Sequence, residues 1–171
     1  YARDYQALTP NAFGESSLAN NETGLYTGIE INPSNRWKIQ LYQDIWTHPW
    51  LRYNIDSPTN GAEYMARVTY TVKRRLEIYG QYRSKRTAIN SRPTGDAIAQ
   101  VVDQYRSQVR LHLNNILTKG IQLRSRLEWS TYSIPTEKQQ GFLIYQDVVY
   151  SPVASPWTFS ARVTLFDTDD Y

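Results

Sequence analysis

Few residues of this 171-residue chain have types and spacing suited to chemistry. A Ser-His-acid site would have to use His48 or His112, the two histidines present. His48 precedes Pro49-Trp50 in a predicted loop, and His112 stands beside Arg110. Neither has a Gly-x-Ser-x-Gly context to supply a nucleophile. Glu63, Glu77 and Glu128 offer paired carboxylates for glycoside hydrolysis, but carboxylates set among arginines normally form ion pairs instead. Asp167-Thr168-Asp169-Asp170 looks like a calcium loop yet lacks its Gly and distal Glu. There is no phosphate-binding glycine loop. The chain has no Cys, which excludes disulfides, thiolate metal sites and Cys nucleophiles. No catalytic residue, metal ligand or cofactor is therefore assigned, and a non-enzymatic role is expected.

The elements that carry these residues are strands. Apolar residues are 40% and charged residues 20% of the chain, too apolar for disorder. The excess is aromatic, with 14 Tyr, 5 Trp and 4 Phe. No apolar run reaches the length of a transmembrane helix. The net charge of +3 permits an anionic partner without demanding one. The chain starts at Tyr1 rather than Met, reads as processed or as an excerpt, and its missing targeting signals carry no weight.

Alternation with period two runs through almost the whole sequence. It predicts eight strands, near 24–32, 36–47, 62–72, 75–87, 103–114, 120–132, 141–150 and 157–167. Residues 1–23 read as a partial strand and a long loop, with 1–9 a candidate ninth strand, and 94–102 as a short helix inside a loop. No boundary divides 1–171 into two domains. Most predicted strands exceed the usual five or six residues and suit a tilted bilayer crossing. Short connections (33–35, 73–74, 115–119, 151–156) alternate with longer ones (10–23, 48–61, 88–102, 133–140). Up-and-down strands would put all short turns at one end and all long loops at the other, as in outer-membrane barrels.

Parity separates two faces. One carries Lys38, Asp44, Glu63, Arg67, Arg75, Glu77, Arg83, Arg106, Arg110, Arg124, Arg126 and Glu128. So many charges need water, mutual pairing or both, and they are expected to line a lumen. The other carries Trp37, Ile39, Leu41, Val68, Tyr70, Ile78, Val109, Leu111, Leu123, Leu127 and Trp129, expected to face lipid. The mean hydropathy of −0.61 does not conflict, because half of every barrel strand is polar. A Leu113–Ile121 pairing would set Arg106 opposite Glu128 and Arg110 opposite Arg124. The same logic sets Glu63 opposite Lys85. The arginine face with interleaved Tyr also allows a nucleic-acid backbone as partner. The contrasting reading is a soluble β-sandwich or barrel that binds glycan or another anionic ligand, its apolar face turned to a core.

The string Trp46-Thr47-His48-Pro49-Trp50-Leu51-Arg52-Tyr53 resembles an aromatic-Pro-Trp-Leu-Arg-Tyr element of outer-membrane barrel proteins from Bacteroidota-type bacteria. Asn21–Gly28, Leu41-Tyr42-Gln43-Asp44 and Leu165–Tyr171 are similar to the same family. The resemblance runs over most of residues 11–171. It implies a porin-like, up-and-down transmembrane β-barrel in the outer membrane of a Gram-negative bacterium, with about eight strands here and a longer barrel overall. It implies outer-membrane lipid and other envelope proteins as partners, and a role as pore, transport component or envelope-complex part, linked to DNA uptake. The family's helix-hairpin-helix segments are absent, so DNA binding transfers to no residue. Within the chain, Leu41-Tyr42-Gln43-Asp44-Ile45 is echoed by Ile144-Tyr145-Gln146-Asp147-Val148, which would place Asp44 and Asp147 inward.

Overall fold

The computed structural model describes residues 21–91 and 100–169. Among them are eight strands: β1 (Thr23–Ser34), β2 (Trp37–His48), β3 (Thr59–Val72), β4 (Leu76–Asn90), β5 (Val101–Thr118), β6 (Ile121–Ile134), β7 (Glu137–Tyr150) and β8 (Phe159–Thr168). They form one antiparallel sheet in which each strand pairs with its sequence neighbours. The protein is all-β and up-and-down. Among the described residues the sheet is open: β8 pairs with β7 alone and β1 with β2 alone. The candidate ninth strand at 1–9 lies outside the described residues, as does most of the candidate helix at 94–102.

Register fixes which residues share a face, and parity survives every pairing. Ile31, Ile39, Val68, Gly80, Leu111, Leu127, Ile144 and Leu165 form a single row across all eight strands. The apolar residues named above occupy the same face as this row, and the charged ones the opposite face. Arg75 is the exception. It sits in the β3–β4 turn, whose three residues 73–75 belong to no strand.

Three expectations need correction. First, Leu113 pairs with Ser125, not Ile121, so Arg106 opposes Tyr132 and Arg110 opposes Glu128. The strand runs on through Asn114-Asn115, which reads as a turn, and reverses only at Lys119-Gly120. The slip is four residues, an even number, so no side chain changes face. Second, 133–140 is not a long loop. Pro135-Thr136 forms a tight turn, with Ile134 pairing Glu137. Pro at the corner has its φ preset for turning and needs no ladder N–H. Third, the connection after β7 is longer than expected, spanning 151–158. Tight turns and longer connections therefore segregate less cleanly by end than the spacing predicts. The 49–58 connection carries its own small hairpin, an Arg52–Ile55 bridge, with Asn54 at φ 59° and Ile55 buried.

Burial is inverted relative to a water-soluble sheet. The polar face holds the buried charges and amides: Glu63 is 4% exposed, and Gln81, Gln104 and Asp147 are also buried. On the apolar face Val109, Leu111, Leu127 and Trp129 are each close to half exposed. Nothing packs on that face: strands contact only their sheet neighbours, and no second layer exists among the described residues.

Candidate functional site: two faces of one sheet

The apolar face is a sloping belt. In β1 it comprises Leu25, Thr27, Ile29 and Ile31, and in β8 Phe159, Ala161, Val163 and Leu165. The row above joins Ile31, the end of the β1 run nearest the β1–β2 turn, to Leu165, the end of the β8 run farthest from the β7–β8 connection. The belt has thus drifted by about six residues over seven strand steps. At about 3.3 Å per residue and 4.8 Å between strands this is a tilt of about 30°, near that of membrane strands. Measured along β6, from Ile121 to Trp129, the belt is about 23 Å tall after that tilt, close to the apolar band of outer-membrane barrels.

Aromatic residues edge the belt on both sides. Tyr64, Tyr82, Trp129 and Phe142 mark one edge, and Trp37, Tyr70, Tyr150 and Phe159 the other. All eight are at least intermediate in exposure, and most exceed one third. Trp37 and Tyr70 meet at 4.8 Å between ring centroids. Beyond the first edge the same face turns polar: Ser84, Arg86, Ser107, Asp103, Thr131, Ser133, Gln140 and Lys138. Arg86 and Asp103 pair there at 3.4 Å. Loss of alternation at 133–140 follows from this, because those strand ends extend past the belt and are polar on both faces.

One polar pair lies inside the belt. Ser125 Oγ donates to Gln146 Oε1 at 2.5 Å, and Gln146 Nε2 donates to the carbonyl of Asp147 at 2.9 Å. These bonds satisfy the amide without water. Gln43 stands at the equivalent place of the sequence echo, and register does put Asp44 and Asp147 on the polar face.

The polar face is a set of cross-strand clusters. Glu63 accepts from Tyr42 Oη and from Arg83 Nε at 2.7 Å, with Lys85 Nζ at 3.4 Å. Its pairing with Lys85 is as parity requires. Glu128 accepts from Arg110 Nε and Gln108 Nε2, each at 2.6 Å. Asp147 takes both arms of Arg162, at 2.5 and 2.7 Å. Glu30 receives Lys38 at 3.0 Å. Several arginines rest on tyrosine rings: Arg67 on Tyr79 at 4.6 Å, Arg106 on Tyr132 at 5.8 Å, Arg126 on Tyr145 at 5.2 Å. Such stacking holds the guanidinium plane while leaving its N–H edge exposed. A groove of about 800 Å³ runs across β4–β8 on this face, lined by Lys85, Gln104, Arg106, Tyr132 and Gln139 among others.

Of the candidate catalytic residues, His48, His112, Glu63, Glu128 and Asp169 are engaged structurally, while Glu77 has no ion pair among the described residues. His48 is not in a loop but ends β2, 2% exposed, with Nε2 3.3 Å from the Glu22 carboxylate. Neighbouring Trp46 is equally buried and covers Gly61, where any Cβ would overlap the indole. His112 stacks on Tyr79 at 5.0 Å. Glu63 and Glu128 are ion-paired as above. Asp169 ends the sheet, its carboxylate accepting from the Gln140 amide at 2.8 Å. The His48–Glu22 pair and the buried Trp46 are not legible in the sequence because Trp46 and His48 fall on the polar face, where an aromatic residue breaks the binary pattern. Trp50 and Tyr53 of the 49–58 connection are exposed, Tyr53 at 92%. No family model, no curated protein and no solved structure matches this chain.

Proposed function

We propose that this sheet is part of the wall of a non-enzymatic outer-membrane β-barrel, serving as a pore, transport component or member of an envelope complex. One observation carries the reading: a sloping apolar belt about 23 Å tall, edged on both sides by aromatics, with no protein layer against it among the described residues. In water such a continuous patch would be an aggregation site. In a bilayer the hydrocarbon covers it, and the aromatic rows lie at the two interfaces. The opposite, ion-paired face then borders water. An open edge is not tolerated in hydrocarbon, since every backbone polar group must be paired. In a barrel the edges at β1 and β8 are closed against each other or through further strands. The row Glu30, Gln40, Arg67, Gln81, Arg110, Glu128, Leu143 and Phe166 favours further strands. Eight strands enclose a space that side chains only just fill, and this row contains no small residue. A DNA-uptake role has the family resemblance alone in its support.

Absence of Cys makes the test direct. Single Cys replacements from Gln108 to Leu113 on β5 are labelled with an environment-sensitive probe in reconstituted vesicles. Quenching by nitroxide-bearing acyl chains should alternate, strong at positions 109, 111 and 113 and weak at 108, 110 and 112. Uniform weak quenching, in a protein that stays dissolved without detergent, would establish the soluble ligand-binding alternative instead.

A further inference from the structure

We infer an anion-binding site on the polar face, centred on Arg124 and Arg126 of β6, for a ligand bearing several phosphate-type charges. It rests on the reading of that face as water-exposed interior. Five cations of the face are neutralised where they stand, Lys38 by Glu30, Arg83 and Lys85 by Glu63, Arg110 by Glu128 and Arg162 by Asp147, while Arg67 and Arg106, also without a carboxylate, stand apart from each other on the rings of Tyr79 and Tyr132. Arg124 and Arg126 have no carboxylate within ion-pair distance among the described residues. Arg124 donates only to the neutral Gln122 amide, at 3.1 Å. Arg126 Nε has no hydrogen-bond partner, and neither does Nδ1 of His112, the residue directly opposite Arg126 in the ladder.

The arrangement is held open. Tyr145 carries Arg126 at 5.2 Å and Arg162 at 4.6 Å from its ring centroid. Asp147, directly opposite Arg124 in the ladder, is held by Arg162, so three guanidiniums share this one carboxylate and only Arg162 is ion-paired with it. Stacking fixes the plane of Arg126 and removes much of the entropy that a free arginine loses on binding. Two guanidiniums stand on one face of one strand, two residues apart, and each carries more N–H donors than its protein partners take up, which lets it offer N–H edges. Phosphate oxygens accept such edges in bidentate fashion. The acids in the row of Arg124 are Asp147, directly opposite on β7 and held by Arg162, and Glu77, on β4 with Asn114 between, which forms no ion pair among the described residues.

Tripolyphosphate is the probe, titrated calorimetrically into the protein folded in detergent micelles at low ionic strength, with citrate as a non-phosphate comparison. The double variant Arg124→Gln/Arg126→Gln should weaken tripolyphosphate binding by about tenfold or more. The double variant Lys38→Gln/Lys85→Gln, which removes the same charge from carboxylate-paired sites, should change it by less than about twofold. Each variant is first checked for native strand content by circular dichroism, and the single changes Arg124→Gln and Arg126→Gln replace the double one if it misfolds. Equal weakening in both double variants would reduce the effect to net charge and overturn the site, as would no binding by the unaltered protein. Equal affinity for citrate would overturn the phosphate preference. If the protein proves soluble without detergent, the same titration in buffer still reads the site, so failure of the membrane reading and failure of this one are separable.

Discussion

Glu63 gathers three donors, Tyr42, Arg83 and Lys85, around a carboxylate that is almost fully covered. Removing its charge strands two cations on one face. Glu63→Gln should cost about 2 kcal/mol in denaturant unfolding. Glu77→Gln, which breaks no ion pair, should fall within about 0.5 kcal/mol of the parent. At the β3–β4 turn, Arg74 holds φ 61°, a left-handed conformation that L side chains adopt at a cost. Arg74→Gly should stabilise by up to about 1 kcal/mol, read in the same unfolding assay. A neutral or destabilising result would show that the Arg74 side chain contributes more than its backbone strain removes.

Along a single strand the two faces make opposite demands. Val68 and Leu123 lie within the apolar belt, and Thr69 next to Val68 points to the other face. Val68→Arg and Leu123→Arg should each cost about 2–4 kcal/mol or block insertion, whereas Thr69→Arg should be tolerated. Folded yield in membranes, scored by resistance of the folded band to detergent on unheated gels, reads the difference. Equal tolerance of all three would remove the belt's claim to be a lipid contact. Within the same belt Ser125 and Gln146 satisfy one another. Ser125→Ala with Gln146→Leu should therefore be neutral or stabilising, while under the proposed lipid contact Ser125→Ala alone should destabilise by about 1 kcal/mol by leaving the amide oxygen unmatched.

For the molecule as a whole, the decisive feature is the pair of open edges. Every residue of β1 and of β8 is exposed, and both strands carry the apolar belt up to the edge. Amide hydrogen exchange on the membrane-embedded protein should show β1 and β8 protected to the degree of β5, because hydrocarbon leaves no water to pair an open ladder. Rapid exchange at both edges would mean that the sheet stays open, which no bilayer-spanning wall can do.

Period-two alternation alone determined the eight strands seen among the described residues, their order of magnitude in length, and which residues share a face. That information is local: successive side chains of an extended chain point to opposite sides whatever the partner strand. It withstood even the four-residue error at the β5–β6 hairpin, since an even slip conserves parity. It failed at residues 133–140, where strands outrun the belt and both faces are polar, and at Trp46 and His48, which a pattern of apolar and polar cannot place. Tertiary structure alone decided the pairing of Arg110 with Glu128, the burial of Glu63, the lack of an ion pair at Arg124 and Arg126 among the described residues, and the slope of the belt. Each depends on the relative offset of two strands far apart in sequence. Offset is set by turn geometry and the summed fit of many side chains, quantities that no single segment contains.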